Sequence, residues 1–353
     1  MAKQVVGLKI GASSLSAACV EQNGGVCLAQ VAREPLPAGI VAGGEVREPA
    51  VLAEALKAFF KKHKLPRRAV RVGIANNRIG VRTIEISGID DPKQLGNAVR
   101  FRAQEALPIP VDQALLDFQV LSQDVDAEGV PRKRILLVVA YRELIDGYVR
   151  ACRLAGLKLA GVDLEAFALL RALTVAPPAS GERSALVAVA VGAERSILAV
   201  SDGYACEFTR VLDWGGSSIS IALARILGGD IGQADKVKHN LSLDGSEVPD
   251  GLTPETAAQA RDAVRAALQT FSRELVSSLQ FYQSQPDALG IRELVLAGGT
   301  AQLGGIEAAL ATLVGVPVRL ADPLVAVGTT KKLKGGRPDP SMVVPIGLGM
   351  AEA

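Results

Sequence analysis

Four short glycine turns are the chemically suggestive features of this chain: Gly11-Ala12-Ser13-Ser14, Gly192-Ala193-Glu194-Arg195-Ser196, Trp214-Gly215-Gly216 and Gly298-Gly299-Thr300. A turn of glycine, alanine and a hydroxyl residue brings backbone N–H groups and an O–H to one point with no side chain in the way, which is what gripping a phosphate requires. One such turn is weak evidence. Several in this order, two of them in matching contexts, point to a nucleotide held in a cleft between two like lobes. Competing chemistries are thin. The two histidines, His63 and His239, lie far apart, and Cys19, Cys27, Cys152 and Cys206 form no CxxC pair, so neither a zinc site nor a histidine-based triad is expected.

The elements that must position these turns are legible in the hydrophobic pattern. Gln4–Ile10, Leu15–Val20 and Val26–Ala32 read as three strands, the last two joined at Asn23-Gly24-Gly25, a hairpin signal. Pro49 opens an amphipathic helix over 50–63, with Val51, Leu52, Leu56, Phe59 and Phe60 on one face, and Arg71–Ala75 returns to strand. From Gly80 the order is strand (81–86), helix (91–107, stopped by Pro108), strand (116–121), a polar turn (124–131), strand (135–140) and helix (142–154), an inserted βαββα module. A strand (158–162) and a helix (165–173) follow, then Ala176-Pro-Pro-Ala-Ser-Gly181, a linker composition and the best lobe boundary in the chain.

After that linker the opening pattern recurs, with strands at 185–191, 197–200 and 205–211 and a helix at 219–227. The alignment of Val5–Ser14 with Ala188–Ser196, each an apolar strand ending in Gly-Ala with a hydroxyl residue soon after, makes this an internal repeat. Thr253-Pro254-Glu255 caps a long helix whose apolar stripe runs from Val264 through Leu268, Phe271, Leu275 and Leu279 to Tyr282. Glu293–Ala297 is a strand ending at Gly298, and a helix spans 305–314.

Composition fits this architecture and excludes others. At 353 residues the chain is long for one core. Apolar residues make up 49% and charged residues 22%, and a formal charge of +2 gives no basic excess for nucleic acid. The longest aliphatic stretches, such as Ile135–Ala140, fall far short of the ~20 residues that span a bilayer, and no signal peptide is evident, so a cytoplasmic protein is expected.

With the turns placed, the chain resembles the actin-like ATPase superfamily of actin, sugar kinases, Hsp70 and FtsA. Gly7–Ser14 looks like the first phosphate loop, Ala190–Ser196 like the second and Ala297–Thr300 like the adenosine motif. More narrowly, Val162–Arg171, Asp202-Gly203 with Phe208-Thr-Arg210, Gly215-Gly216 and Ala234–Lys238 are similar to PilM, the FtsA-related family of type IV pilus assembly. The ending Gly347–Ala353, without the C-terminal amphipathic helix that FtsA usually carries, favours PilM over FtsA. The resemblance implies an α/β, actin-like (ribonuclease H-like) two-lobed fold with an inserted 1C-type subdomain. It divides the chain into a first core (1A, 1–78 and 158–175), the insertion (1C, 79–157), a second core (2A, 184–228 and 286–353) and a helical subdomain (2B, 229–285). It implies a groove between 1A and 1C that takes the N-terminal cytoplasmic tail of a PilN-like membrane protein, so that the chain sits at the inner membrane through a partner, without inserting.

The resemblance also implies a nucleotide site of Lys9, Gly11, Ala12, Ser13, Ser14, Gly192, Ala193, Glu194, Ser196, Gly215, Gly216, Asp235, Lys238, Gly298, Gly299 and Thr300, with Glu165 in the water-positioning region. ATP is the nucleotide so implied. Each phosphate loop in the superfamily usually begins with an aspartate that holds hydrated magnesium; here those positions are Lys9 and Ala190. A site taken from two negative charges to one positive should bind magnesium poorly, and phosphoryl transfer depends on that metal. Lys9 either pairs directly with phosphate in the metal's place or reaches solvent from a cleft that has lost nucleotide. Glu165 better suits a helix N-terminus, Asp235 and Lys238 equally form an i, i+3 surface pair, and the glycines at 298 and 299, whose context favours adenosine contact, also make a tight turn. The leading expectation is a scaffold of pilus assembly, or of a related type II secretion or competence system, with a degenerate nucleotide site. The alternatives are an active or nucleotide-switched ATPase, or a self-associating, FtsA-like division protein that forms filaments.

Overall fold

The structure, a computed structural model, describes residues 3–22, 24–89, 91–106, 113–125, 129–174, 183–245, 248–286 and 288–351. The first half begins with β1 (Lys3–Ile10), β2 (Ser14–Gln22) and β3 (Val26–Pro35), an antiparallel meander, followed by the hairpin strands β4 (Val41–Ala42) and β5 (Glu45–Val46). Then come α1 (Pro49–His63) and β6 (Val70–Ile74). In α1, Leu52, Leu56, Phe59 and Phe60 recur at helical spacing and are buried. Val51, expected on that face, lies one position off the stripe and is 44% exposed. The helix ends at Lys64, whose left-handed backbone closes the last turn.

The insertion is β7 (Ile79–Ser87), α2 (Pro92–Ala106), β8 (Ala114–Val125), β9 (Pro131–Tyr141) and α3 (Arg142–Leu154). Its strands form a separate sheet in the order β7-β9-β8, so β7 is an edge. β10 (Leu159–Leu164) and α4 (Glu165–Leu173) follow. The expected linker at 176–181, the stop at Pro108, and parts of the turns at 23–25 and 124–131 lie outside the described residues.

The second half repeats the meander as β11 (Ala185–Val191), β12 (Ser196–Ser201) and β13 (Cys206–Leu212), then adds α5 (Gly216–Leu227), α6 (Ile231–Asn240), α7 (Pro254–Gln283), β14 (Ile291–Ala297), α8 (Ile306–Val314), β15 (Val318–Leu320), β16 (Gly328–Lys334) and α9 (Val343–Met350). Thr253 caps α7 by accepting a hydrogen bond from the Thr256 backbone, and the stripe Val264 to Tyr282 is buried in the second core. The two large sheets run β10-β6-β1-β2-β3-β16 and β13-β12-β11-β14-β15. In both, a strand of the meander pairs in parallel with a strand that follows a crossover helix, β1 with β6 and β11 with β14. The strands β1 and β11 are therefore apolar on both faces, as sheets covered on two sides require.

The segment 286–353, expected wholly in the second core, is split. β14 and β15 belong to the second sheet, but β16 pairs with β3 and α9 packs on β1, β2 and α4. The physical reason lies in three glycines of close approach. A Cβ at Gly7 would come 2.0 Å from the Pro345 carbonyl, one at Gly347 1.8 Å from the Ala168 carbonyl, and one at Gly349 2.6 Å from Val20. This contact lets α9 lie against the first sheet and beside α4, in an apolar layer that also takes in Ala188, Ala190, Val295 and Ala297 of the second sheet.

Candidate functional site: the interlobe cleft

The loop after β1 and the loop after β11 meet across the two halves. Each turn closes on itself: Gly11 N–H donates to the Ser14 carbonyl and Gly192 N–H to the Arg195 carbonyl, both at 2.9 Å. Between them is a cavity of about 60 Å³. Lys9, Gly11, Ala12, Glu165, Gly192, Ala193 and Glu194 all line it. Residues that the sequence reading did not assign complete the wall, among them Arg195, Tyr148 and Gly44.

Lys9 is partly exposed, and its ammonium is held by a carboxylate. Its Nζ lies 2.7 Å from Glu165 Oε2, and the two side chains are 20% and 7% exposed. Glu165 is also the first residue of α4, where a negative charge suits the helix dipole, so its position and its partner agree. On the other wall, Glu194 reaches across the cleft and accepts the Gly43 backbone N–H at 2.9 Å. Arg195 is held by Asp213 at 3.1 Å, and its guanidinium fills the space where side chains at Gly43 and Gly44 would stand. Its Nη1 is buried without a hydrogen-bond partner. The 43–44 turn is pinned from its own side by Asn76, which donates to the Gly43 carbonyl at 3.0 Å, and by the Tyr148 hydroxyl, which donates to the Gly44 carbonyl at 3.1 Å. Burial, with the nearby Glu165 charge, keeps the Tyr148 phenol protonated well above the ordinary tyrosine range.

The other expected site residues sit behind this cavity. Gly216 N–H donates to the Gly192 carbonyl and Ser217 N–H to the Ala193 carbonyl, so the first donors of α5 are bonded to the second loop. The Thr300 hydroxyl donates to the Gly192 carbonyl at 3.1 Å, and Gly216 allows no Cβ against it. Gly298 adopts φ +95° with its Cα against the Val191 carbonyl, so the turn at 298–299 is demanded by packing on the second loop. Asp235 and Lys238 pair with each other on α6 and share the Ser220 hydroxyl, which lies 2.8 Å from each. Burial opposes ionisation of Asp235, but the Lys238 ammonium and Ser220 outweigh it and hold the carboxyl below the ordinary aspartate range. Ser196, expected at a phosphate, is fully buried and donates to the Trp214 carbonyl at 2.7 Å. Ser13 and Ser14 lie beyond the cavity wall; their carbonyls accept Leu36 N–H and Gly11 N–H. Gly299 approaches Arg33.

A metal fits these residues poorly. Lys9 puts a cation at the first aspartate position, and Ala190 is packed in the apolar layer between the second sheet, α4 and α9. Among the described residues no three His, Cys, Asp or Glu side chains cluster to hold an ion.

A much larger groove, about 860 Å³, opens beside the cleft. One wall is β7 with residues 74–78, and the other is β13 with Glu274 and Phe281 of α7. Both flanking strands are sheet edges. The halves are bridged here by Asn77, which donates to Asp213 at 3.1 Å, and by Arg134, paired with Glu207 at 2.6 Å. Arg78 stacks over Tyr141 on the first wall, and Phe208 and Phe281 meet on the second. The resemblance implied a groove between 1A and 1C; in this one the second lobe supplies a full wall.

Two sheets of repeated topology with a cleft between them define an actin-like ATPase fold. Solved structures share it at low identity: the ethanolamine utilization protein EutJ from Carboxydothermus hydrogenoformans (14% identical, TM-score 0.59, covering 99% of this chain and 89% of that one) and MreB5 of Spiroplasma citri bound to ADP (12%, TM-score 0.55, 98% and 94%). The chain belongs to the type IV pilus assembly protein PilM family, whose model matches residues 7–352. It is also similar to a chain of a PilM-PilN type IV pilus biogenesis complex, at 27% identity and TM-score 0.81, covering 98% of this chain and 97% of that one. It is therefore an actin-like protein of type IV pilus assembly. No helix among the described residues is long and apolar enough to cross a membrane.

Proposed function

We propose that this chain is a scaffold that holds the extended N-terminal tail of a PilN-like membrane protein in the β7–β13 groove, while its own side chains keep the nucleotide cleft shut. The observation that carries this reading is the contrast in size between the two spaces. The cleft leaves about 60 Å³, and the groove offers about 860 Å³ between two unpaired strand edges. Ligand pockets run to roughly 300–1,000 Å³. An extended peptide laid on an edge strand gains main-chain hydrogen bonds, and side-chain pockets set its specificity; Phe208, Phe281 and the Arg78–Tyr141 pair provide such pockets. In this reading the first core is 3–78, 158–174, β16 and α9, with 79–157 as the 1C-type insertion. The partner then tethers the chain to the membrane.

A second reading rests on Arg195. A buried guanidinium nitrogen without a partner is costly, and a phosphate oxygen would satisfy it. On that reading nucleotide enters without metal and separates Lys9 from Glu165. Calorimetric titration distinguishes the two. The scaffold reading expects the tail peptide to bind, Phe281→Glu to weaken it about tenfold through a buried charge, and ATP to give no heat with or without magnesium. Metal-independent ATP binding that Arg195→Ala removes would favour the second reading, and magnesium-dependent turnover would sink both.

A further inference from the structure

Within a near-zero net charge, two strongly basic strips converge. Residues 61–68, Lys-Lys-His-Lys-Leu-Pro-Arg-Arg, and residues 331–337, Lys-Lys-Leu-Lys-Gly-Gly-Arg, hold nine of the chain's 39 Lys and Arg and none of its 37 Asp and Glu. They are far apart in sequence and adjacent in the fold. Gln30 of β3 joins them: its backbone is in register with Lys334, and its side chain donates to the His63 carbonyl at 2.6 Å. All nine cationic residues are exposed. Lys62 is tied to Glu34 at 2.7 Å, a carboxylate shared with His63; the other eight make no ion pair among the described residues.

We propose that this basic face adsorbs to an anionic phospholipid surface. Each strip has a local use on its own. Lys61 and Lys62 suit the C-terminal end of the α1 dipole, and lysines on the edge strand β16 discourage pairing with other chains. Neither use accounts for Arg67, Arg68 and Arg337, nor for the convergence of two strips on one face. Clusters of four to eight Lys and Arg beside one another attract anionic headgroups, each contributing on the order of 1 kcal/mol near the surface. Lysine, a compact and mobile point charge, suits a diffuse potential better than a shaped anion site. Half-buried Leu333 sits among the lysines. Single-stranded nucleic acid is the poorer match, because it calls for exposed aromatic platforms, and the aromatic rings of this corner, Phe59 and Phe60, are buried. The chain turns away after Lys334 through Gly335, at φ +89° with its Cα against the Val31 carbonyl, so the lysine strip is fixed at a sharp corner.

The test is co-sedimentation of the full chain with vesicles of pure phosphatidylcholine and of phosphatidylcholine with 30% phosphatidylglycerol, in low and in 0.5 M salt. Binding to the anionic vesicles alone, lost in high salt as a screened interaction must be, is expected. Lys331→Glu/Lys332→Glu/Lys334→Glu and, separately, Lys61→Glu/Lys64→Glu/Arg68→Glu should each lower partitioning by at least about tenfold. Arg225→Glu/Arg273→Glu, on the second half, should leave it unchanged, with circular dichroism confirming that each variant is folded. Equal binding to both vesicle types, no binding in low salt, or loss with the control variant would overturn the proposal. So would binding of duplex DNA as tight as binding of anionic vesicles and equally sensitive to the two triple reversals, since that would reassign the face to nucleic acid.

Discussion

Replacing Lys9 by methionine is the most direct probe of the cleft, because it removes one charge and keeps the stem. The Glu165 carboxylate is left 7% exposed, with Gly73 and Tyr148 close by. Removing one partner of a buried ion pair costs about 3–5 kcal/mol, because the remaining charge is desolvated without compensation. Lys9 keeps a fifth of its side-chain surface in contact with solvent, which lowers the expectation to about 2–4 kcal/mol. Glu165→Gln, which leaves an ammonium that can lean outward, should cost less, about 1–2 kcal/mol. The double variant Lys9→Met/Glu165→Gln should recover most of the loss, since a neutral pair has no charge to strand. Equilibrium urea unfolding of the four proteins gives the cycle, with an unchanged m-value as the check that the same surface is exposed. If Lys9→Met alone costs under about 0.5 kcal/mol, or if the double variant is as damaged as the single, the pair is solvent-screened and adds little to the fold.

Three further outcomes follow. Ala190→Asp restores the superfamily's carboxylate but places it in the apolar layer against α4 and α9, so it should destabilise by about 3 kcal/mol or more, read as a lowered Tm; unchanged stability with magnesium-dependent ATP binding would show that the position faces the cleft after all. Gly347→Ala should be as damaging, because its Cβ would stand 1.8 Å from the Ala168 carbonyl; wild-type stability would mean that α9 can lift off α4. Asp235 has a depressed folded pKa, so its contribution to stability is present above the unfolded value of about 3.9 and is lost as pH falls through the folded value. Asp235→Asn should flatten stability against pH in that acid window, and an unchanged acid limb would mean that the carboxylate gains nothing from Lys238 on folding.

Much of the fold was legible because period and punctuation agree. Pro49, Thr253-Pro254 and the apolar stripe of α7 mark helices by mechanisms that need no tertiary context. The helices α3 and α4 span 142–154 and 165–173, as read from the sequence. What escaped are elements made by contact. α9 contains Pro345, Gly347 and Gly349, poor helix formers by propensity, and it exists because those residues let a helix lie directly on β1 and α4. β16 is a run of threonine and lysine whose strand character comes from the vacant edge of β3. The cleft was legible through its glycines but not through the contacts that cross it. Arg195 stood inside a quoted motif, yet nothing local says that its guanidinium packs under Gly43 and Gly44, which lie in another strand pair.

Those contacts bear on what holds the halves of this molecule in register. Glu194–Gly43 and Asn77–Asp213 span the halves, beside a Lys9–Glu165 pair whose two members both belong to the first half. Asn77 and Asp213 also line the large groove, and Arg134–Glu207 is a further bridge between the halves. Both groove walls are carried by opposite halves, so any change in their angle alters the distance between β7 and β13. Contacts that fix the angle therefore fix the groove's width, and they do so with the chain's own side chains. On the proposed reading, a groove pre-set in this way admits an extended tail without the cost of reshaping the walls, and affinity then depends on the tail rather than on nucleotide. Glu194→Ala tests that link: removing a contact that crosses the cleft should weaken the tail peptide even though Glu194 does not line the groove.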